Sequence, residues 1–157
     1  MSDATMLLLA FLIGAVAGLR TFMAPTAVSW AARAGWLDLT ATPLAVLGGT
    51  WTPWILTACA AAELVIDLHP ATPSRKTLGP FVARLVSGSV SGAAIGAAAG
   101  TVLGGAVAGA AGAVAGTIGG YACRMGLAGT CGSDRLAAWI EDAVAIAAVL
   151  LIVLSLR

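Results

Sequence analysis

Six ionisable side chains interrupt otherwise apolar stretches of this chain: Arg20, Glu63, Asp67, Arg84, Glu141 and Asp142. A charge at the middle of a bilayer costs roughly 2.5–3.5 kcal/mol on insertion scales, so such groups face protein or water and are paired. Acids outnumber bases in this set, four against two. A surplus carboxylate in a low-dielectric site has a raised pKa and can carry a proton. Two readings follow. In one, Arg84 pairs with Glu63 or Glu141 to hold helices together, and Asp67 points outward. In the other, these groups line a pathway for a proton or a small solute.

Spacing sets their arrangement. Glu63 and Asp67 are four residues apart and share a helix face. Glu141 and Asp142 are neighbours, so they point about 100° apart on a helix of 3.6 residues per turn. At ~1.5 Å of rise per residue, Glu63, Asp67, Arg84 and Glu141 are expected in one half of the membrane and Arg20 nearer the other side.

A second charged group lies in the loop of residues 71–80, ATPSRKTLGP, beside the start of a helix. Arg75 and Lys76 with nearby Arg84 can hold an anion there, most simply a lipid phosphate. The alternative is a loop that only sets topology. The three cysteines, Cys59, Cys123 and Cys131, form no CxxC, and His69 is the one histidine. No zinc-type ligand set, Ser–His pair or HExxH is present, so no metal, no cofactor and no catalytic residues are expected.

The elements that must position these groups are membrane helices. Of 157 residues, 60% are apolar and only 10% charged, against about 25% charged in a soluble domain. The mean hydropathy is +1.00. Net charge is +1, which leaves no basic face for a phosphate backbone, so nucleic acid is not an expected partner. The balance argues against a soluble enzyme and a disordered chain. A span needs about 20 mostly apolar residues. On that rule the single domain, 1–157, is an all-α polytopic transmembrane helix bundle of about five spans: 6–30, 53–68, 81–99, 105–123 and 135–156. The first is interrupted by Arg20 and Pro25. Arg75, Lys76, Arg124 and Arg135 then fall on one side, which the positive-inside rule makes cytoplasmic. The N-terminus is expected on that side and the C-terminus on the other.

Gly88, Gly92, Gly96, Gly100 and Gly104 recur every four residues, and Ala108, Gly112, Gly116 and Gly120 continue the step. Lipid gives no hydrophobic push between helices, so small residues that let backbones approach drive packing. The spacing predicts a glycine-zipper hairpin or an oligomer contact; a narrow glycine-lined pore is the other reading. GAVAG occurs at 14–18 and again at 112–116. Each copy precedes an acidic helix, AAELVID at 61–67 and AAWIED at 137–142. With one span between the two pairs, the repeat is expected to be inverted, a plan of secondary transporters.

The runs GLRTFMAPTAVSWAARAGWLDL (18–39), ELVIDLHPATPSRKTLGPFVARLVSGSVSGAAIGAAAG (63–100) and IEDAVAI (140–146) resemble domain-of-unknown-function family 4126, a group of small bacterial integral membrane proteins. The resemblance covers nearly the whole chain. It implies an all-helical protein of the bacterial inner membrane and supplies no activity, substrate or cofactor. The positions it is expected to stress are Arg20, Thr21, Pro25, Glu63, Pro73, Ser74, Arg75, Lys76, Arg84 and Glu141.

The sequence thus leads to a small transporter or channel-like membrane protein, with Arg20, Glu63, Arg84 and Glu141 lining or locking a polar site between helices. Its partners are membrane lipids and a second copy or another membrane protein. The alternative is an accessory subunit that packs through its glycine ladder.

Overall fold

A computed structural model describes residues 2–66, 78–131 and 134–157, with the side chains of 127–137 outside the description. Among the described residues there are seven helices and no strand: α1 (Asp3–Leu19), α2 (Met23–Arg33), a 3-10 helix (Pro43–Gly48), α3 (Thr52–Ile66), α4 (Leu78–Ala97), α5 (Val102–Cys131) and α6 (Asp134–Ser155). Three are long and apolar enough to cross a bilayer: Leu78–Ala97, Val102–Gly126 and Ala138–Ser155. α1 and α3 are shorter apolar helices.

Local chemistry sets the helix ends. Ser2 caps α1 by accepting the Thr5 N–H at 3.3 Å, and Asp3 sits in the first turn, where the helix dipole favours an anion. α1 stops at Arg20, whose backbone is extended (φ −138°, ψ 115°). α2 opens two residues later with Pro25 in its first turn, where a missing N–H costs nothing. It closes on Gly35 at φ +78°. There the Trp36 N–H reaches Ala31 O (2.9 Å) and the Gly35 N–H reaches Ala32 O (3.1 Å), the paired bonds of a Schellman cap. Gly100, at φ +69°, makes the tight turn between α4 and α5, which the Thr101 N–H closes on Gly96 O at 2.9 Å.

Helix directions follow from which residues meet. Along α4 and α5, Gly88 faces Gly109 and Ala113, Gly92 faces Gly105 and Gly109, and Gly96 faces Gly105, so the pair is antiparallel. Along α1 and α5 the order runs the same way in both helices. Leu7 lies by Gly104, Gly14 by Gly109, Ala15 by Gly112 and Gly116, and Gly18 by Ala113 and Thr117. α1 and α5 are therefore parallel. α6 starts beside the end of α5, with Arg124 near Glu141, and ends with the Arg157 guanidinium 5.9 Å over the Trp36 ring. Arg20, at the end of α1, meets Asp142 early in α6, while Trp36, just past α2, meets its end. α2 therefore returns along α6 in the direction opposite to α1. α3 runs antiparallel to α2, since Trp30 meets Trp54 and Thr57 while Glu63 meets Thr21 and Phe22.

Three sequence expectations change here. Residues 6–30 are not one continuous helix but parts of two helices that form a hairpin turning at 20–22. Backbone unwinds there because Arg20 and the following amides find partners on other helices. Second, the ends of α1 and α6 near the two termini lie at one face of the bundle, together with the 34–51 loop and the α4–α5 turn. The starts of α4 and α6 lie at the opposite, far face. Third, the two GAVAG copies run parallel and pack on each other, with a Cβ on Gly116 or Gly112 falling on the backbone of Ala15. An inverted repeat requires them to run in opposite senses.

The four-residue ladder also changes register at the turn. Gly88, Gly92 and Gly96 do line the α4 side, but their partners on α5 are Gly105 and Gly109; Gly104 lies instead 3.2 Å, from its would-be Cβ, to Leu7 Cδ2. Gly112 and Gly116 face α1. Gly100 sits in the turn, and Gly120 is buried.

The 34–51 loop folds back onto the bundle rather than trailing from it. Leu37, Leu39 and Leu47 are buried, and the Ser29 hydroxyl donates to Leu47 O. Thr52 Oγ1 donates to Val46 O at 2.7 Å. The Thr40 hydroxyl and then its N–H both donate to Asp38, holding that exposed carboxyl below its ordinary value.

Candidate functional site

The tip of the α1–α2 hairpin is where the buried charges gather. Helix α1 carries Arg20 about 25 Å from its start, past the middle of a ~30 Å hydrocarbon layer. Arg20 is only 1% exposed. Its Nε donates to Asp142 Oδ1 at 2.7 Å, and its Nη2 bridges the same oxygen. Such a pair carries its cost only if every remaining polar group is also satisfied.

Glu63 reaches the same tip from α3. Its Oε1 accepts the Thr21 N–H at 2.7 Å and its Oε2 accepts the Phe22 N–H at 2.9 Å. These are the amides of the N-cap residue of α2 and of the residue before it, in the non-helical bend where neither has an intrahelical partner. A carboxylate there satisfies both and sits at the positive end of the helix dipole. The third approach is from α4, where the Ser87 hydroxyl donates to Thr21 O. Arg84 lies nearly one turn from Ser87 towards the far face and is 5% exposed.

Side chains from three other helices thus converge on the tip, two of them on its backbone and one on the Arg20 side chain. α3 supplies Glu63, α4 supplies Ser87 and α6 supplies Asp142. On the α6 face next to Asp142, Glu141 is 8% exposed and has Arg124 Nη1 at 3.9 Å from Oε2. Ser91, one turn along α4 from Ser87, is fully buried, and its Oγ makes no hydrogen bond.

Of the six expected polar residues, Arg20, Glu63 and Asp142 meet directly at this tip, and Arg84 and Glu141 are buried on the helices that form it. Arg20 was expected nearer the opposite side of the membrane from the acids. The reversal after α1 removes that separation, because it makes Arg20 a hairpin tip instead of a point on a through-going helix. Asp67, Arg75 and Lys76 lie outside the described residues. Sequence reasoning did not single out Ser87 as a ligand of the bend or Arg124 as a partner of Glu141. The available signals were a hydroxyl one helical turn from Arg84 and a lone cation at the end of a long apolar helix.

Residues 7–155 match the family described as Domain of unknown function (DUF4126), and the chain belongs to that family. No curated protein matches the chain. No solved structure matches it either.

Proposed function

We propose that this member of the DUF4126 family is a small integral membrane transporter or channel-like protein that moves an ion or small solute through the polar site at the hairpin tip. One observation supports this reading: an unwound backbone bend within an apolar bundle is held by two carboxylates and one hydroxyl, from three other helices. Non-helical backbone at membrane depth is tolerated only inside protein or beside a water-filled cavity, and transporters place their sites at such breaks. A structure whose sole task is to pack helices gains nothing from this bend, since an unbroken apolar helix packs without charges to neutralise.

In this reading Glu63 is the working group. Its two oxygens hold the Thr21 and Phe22 amides, so release of either frees the bend to move. Arg20 and Asp142 keep the tip anchored to α6. No catalytic step and no cofactor enter.

The spans are α3, α4, α5 and α6, with α1 and α2 as a re-entrant hairpin in place of the first of five. In sequence, Arg75, Lys76, Arg124 and Arg135 flank the start of α4, the end of α5 and the start of α6, and the positive-inside rule makes that side cytoplasmic in a bacterial inner membrane. Both termini then lie on the other side. Lipids are the immediate partners. A second copy or another membrane protein would meet the outward side of α5, where Gly119 and Gly126 have open space beyond them.

The test is purified protein in liposomes, assayed for ion, proton and small-solute flux. Flux that is lost in Glu63→Gln while the protein stays folded supports the pathway. Absence of any flux in the wild type, together with co-purification of a stoichiometric partner, would favour an accessory subunit instead.

A further inference from the structure

An apolar groove of about 460 Å³ lies between α2, α3 and α6, on the opposite side of Met23 from the charged tip. Met23, Ala27 and Trp30 of α2, Ala60 of α3 and Val149 of α6 line it. The polar atoms along its walls are turned elsewhere. Thr26 Oγ1 donates to Phe22 O at 2.6 Å, and Trp30 Nε1 donates to Thr57 Oγ1 at 3.1 Å. The groove therefore offers nothing to a polar solute.

Its length and its end are informative. On α6 the lining runs from Ile146 to Leu154, which is ~12 Å of helix, close to the ~15 Å depth of one leaflet. It runs along the helix axis, the direction of an acyl chain. At the end nearest the termini stands Trp36, with the exposed Arg157 guanidinium 5.9 Å above its ring. An aromatic ring and a cation at the limit of the hydrocarbon match the level of a phospholipid headgroup.

We propose that this groove is a binding site for one acyl chain of a glycerophospholipid, whose phosphate meets Arg157. The apolar wall takes the chain, Trp36 marks the ester level, and the guanidinium neutralises the phosphate. The far end of the chain abuts Met23, the first residue of α2, so the lipid braces the returning arm of the hairpin. The site rests on the chain lying in a bilayer but not on any flux, so loss of the transport reading leaves it standing.

The experiment uses the full chain in nanodiscs with a trace of phospholipid carrying a diazirine midway along one acyl chain. After illumination, mass spectrometry maps the adducts. Adducts should concentrate on Met23, Ala60 and Val149 over outward positions such as Leu103. Ala60→Phe, which fills the groove, should remove them while leaving adducts at Leu103 unchanged. Arg157→Gln, at an exposed position, should lower groove adducts without changing the gel-filtration profile. Even labelling of groove and outer surface, or groove labelling indifferent to both substitutions, would overturn the proposal. So would spontaneous disulfide dimers of Thr26→Cys, which would show a second copy seated in the groove.

Discussion

Arg20 and Asp142 meet across 122 residues of sequence, Nε to Oδ1 at 2.7 Å, and so tie the tip of the first helical hairpin to the last helix. The arginine is almost fully enclosed. The pair fixes where the hairpin ends and which face α6 turns inward.

Removing one partner should be far worse than removing both. Asp142→Leu takes the Oδ1 acceptor away from a buried guanidinium, a loss of up to about 3–5 kcal/mol in comparable buried pairs. Arg20→Met with Asp142→Leu should recover most of that stability. Thermal unfolding in detergent, compared across the two single variants and the double variant, checks this. Equal destabilisation by the double variant and by Asp142→Leu would contradict it.

Glu63 accepts two backbone N–H groups, so its replacements should fall in order. Glu63→Gln keeps one acceptor oxygen, and Glu63→Leu keeps none. A donor left unsatisfied away from water costs about 1–3 kcal/mol, and these two, part-buried and exposed, fall at or below the low end. Hydrogen exchange at the Thr21 and Phe22 amides should therefore rise modestly in the first variant and strongly in the second.

Glycines on the two sides of α5 should respond oppositely to an added methyl. At Gly109 a Cβ would fall 3.0 Å from Gly92 Cα, in backbone that cannot move aside cheaply. Gly109→Ala should cost about 1–3 kcal/mol. At Gly119 nothing lies within 4 Å, so Gly119→Ala should be neutral or stabilise the helix by up to about 1 kcal/mol. Denaturation midpoints of the two variants provide the comparison.

The helix directions place both termini at one face. Small epitope tags at the two ends should be equally open to protease from the same side of sealed vesicles. Protection of one tag and cleavage of the other would restore the five-span arrangement.

The sequence carried the helices well and their connection poorly. Composition and apolar runs located α3, α4 and α6 within a few residues, while α5 runs to Cys131, eight residues past the expected end at 123. Gly88, Gly92 and Gly96 announced a close helix contact, because a four-residue step on one face has few other uses. Glu63, Arg84, Glu141 and Asp142 stood out through their cost in an apolar setting. The reversal at Arg20 was not legible. A run of apolar residues long enough to cross a bilayer reads identically whether it continues or doubles back. The decision rests with Asp142, Glu63 and Ser87, which are remote in sequence. The same cause misplaced Arg20 in depth and made two parallel GAVAG segments look like halves of an inverted repeat. The α5 register slipped for a local reason: the turn at Gly100 shifts the facing row from Gly104 to Gly105.

The distance along the chain between Arg20 and its counter-ion has a consequence for biogenesis. Synthesis delivers the hairpin first and Asp142 near the end, so for most of translation the tip lacks this tie to the last helix. A nascent chain halted before α6 would lack the Asp142 end of this bridge, and quality-control proteases should clear it. The protein can settle into its membrane only once its closing helix has left the ribosome.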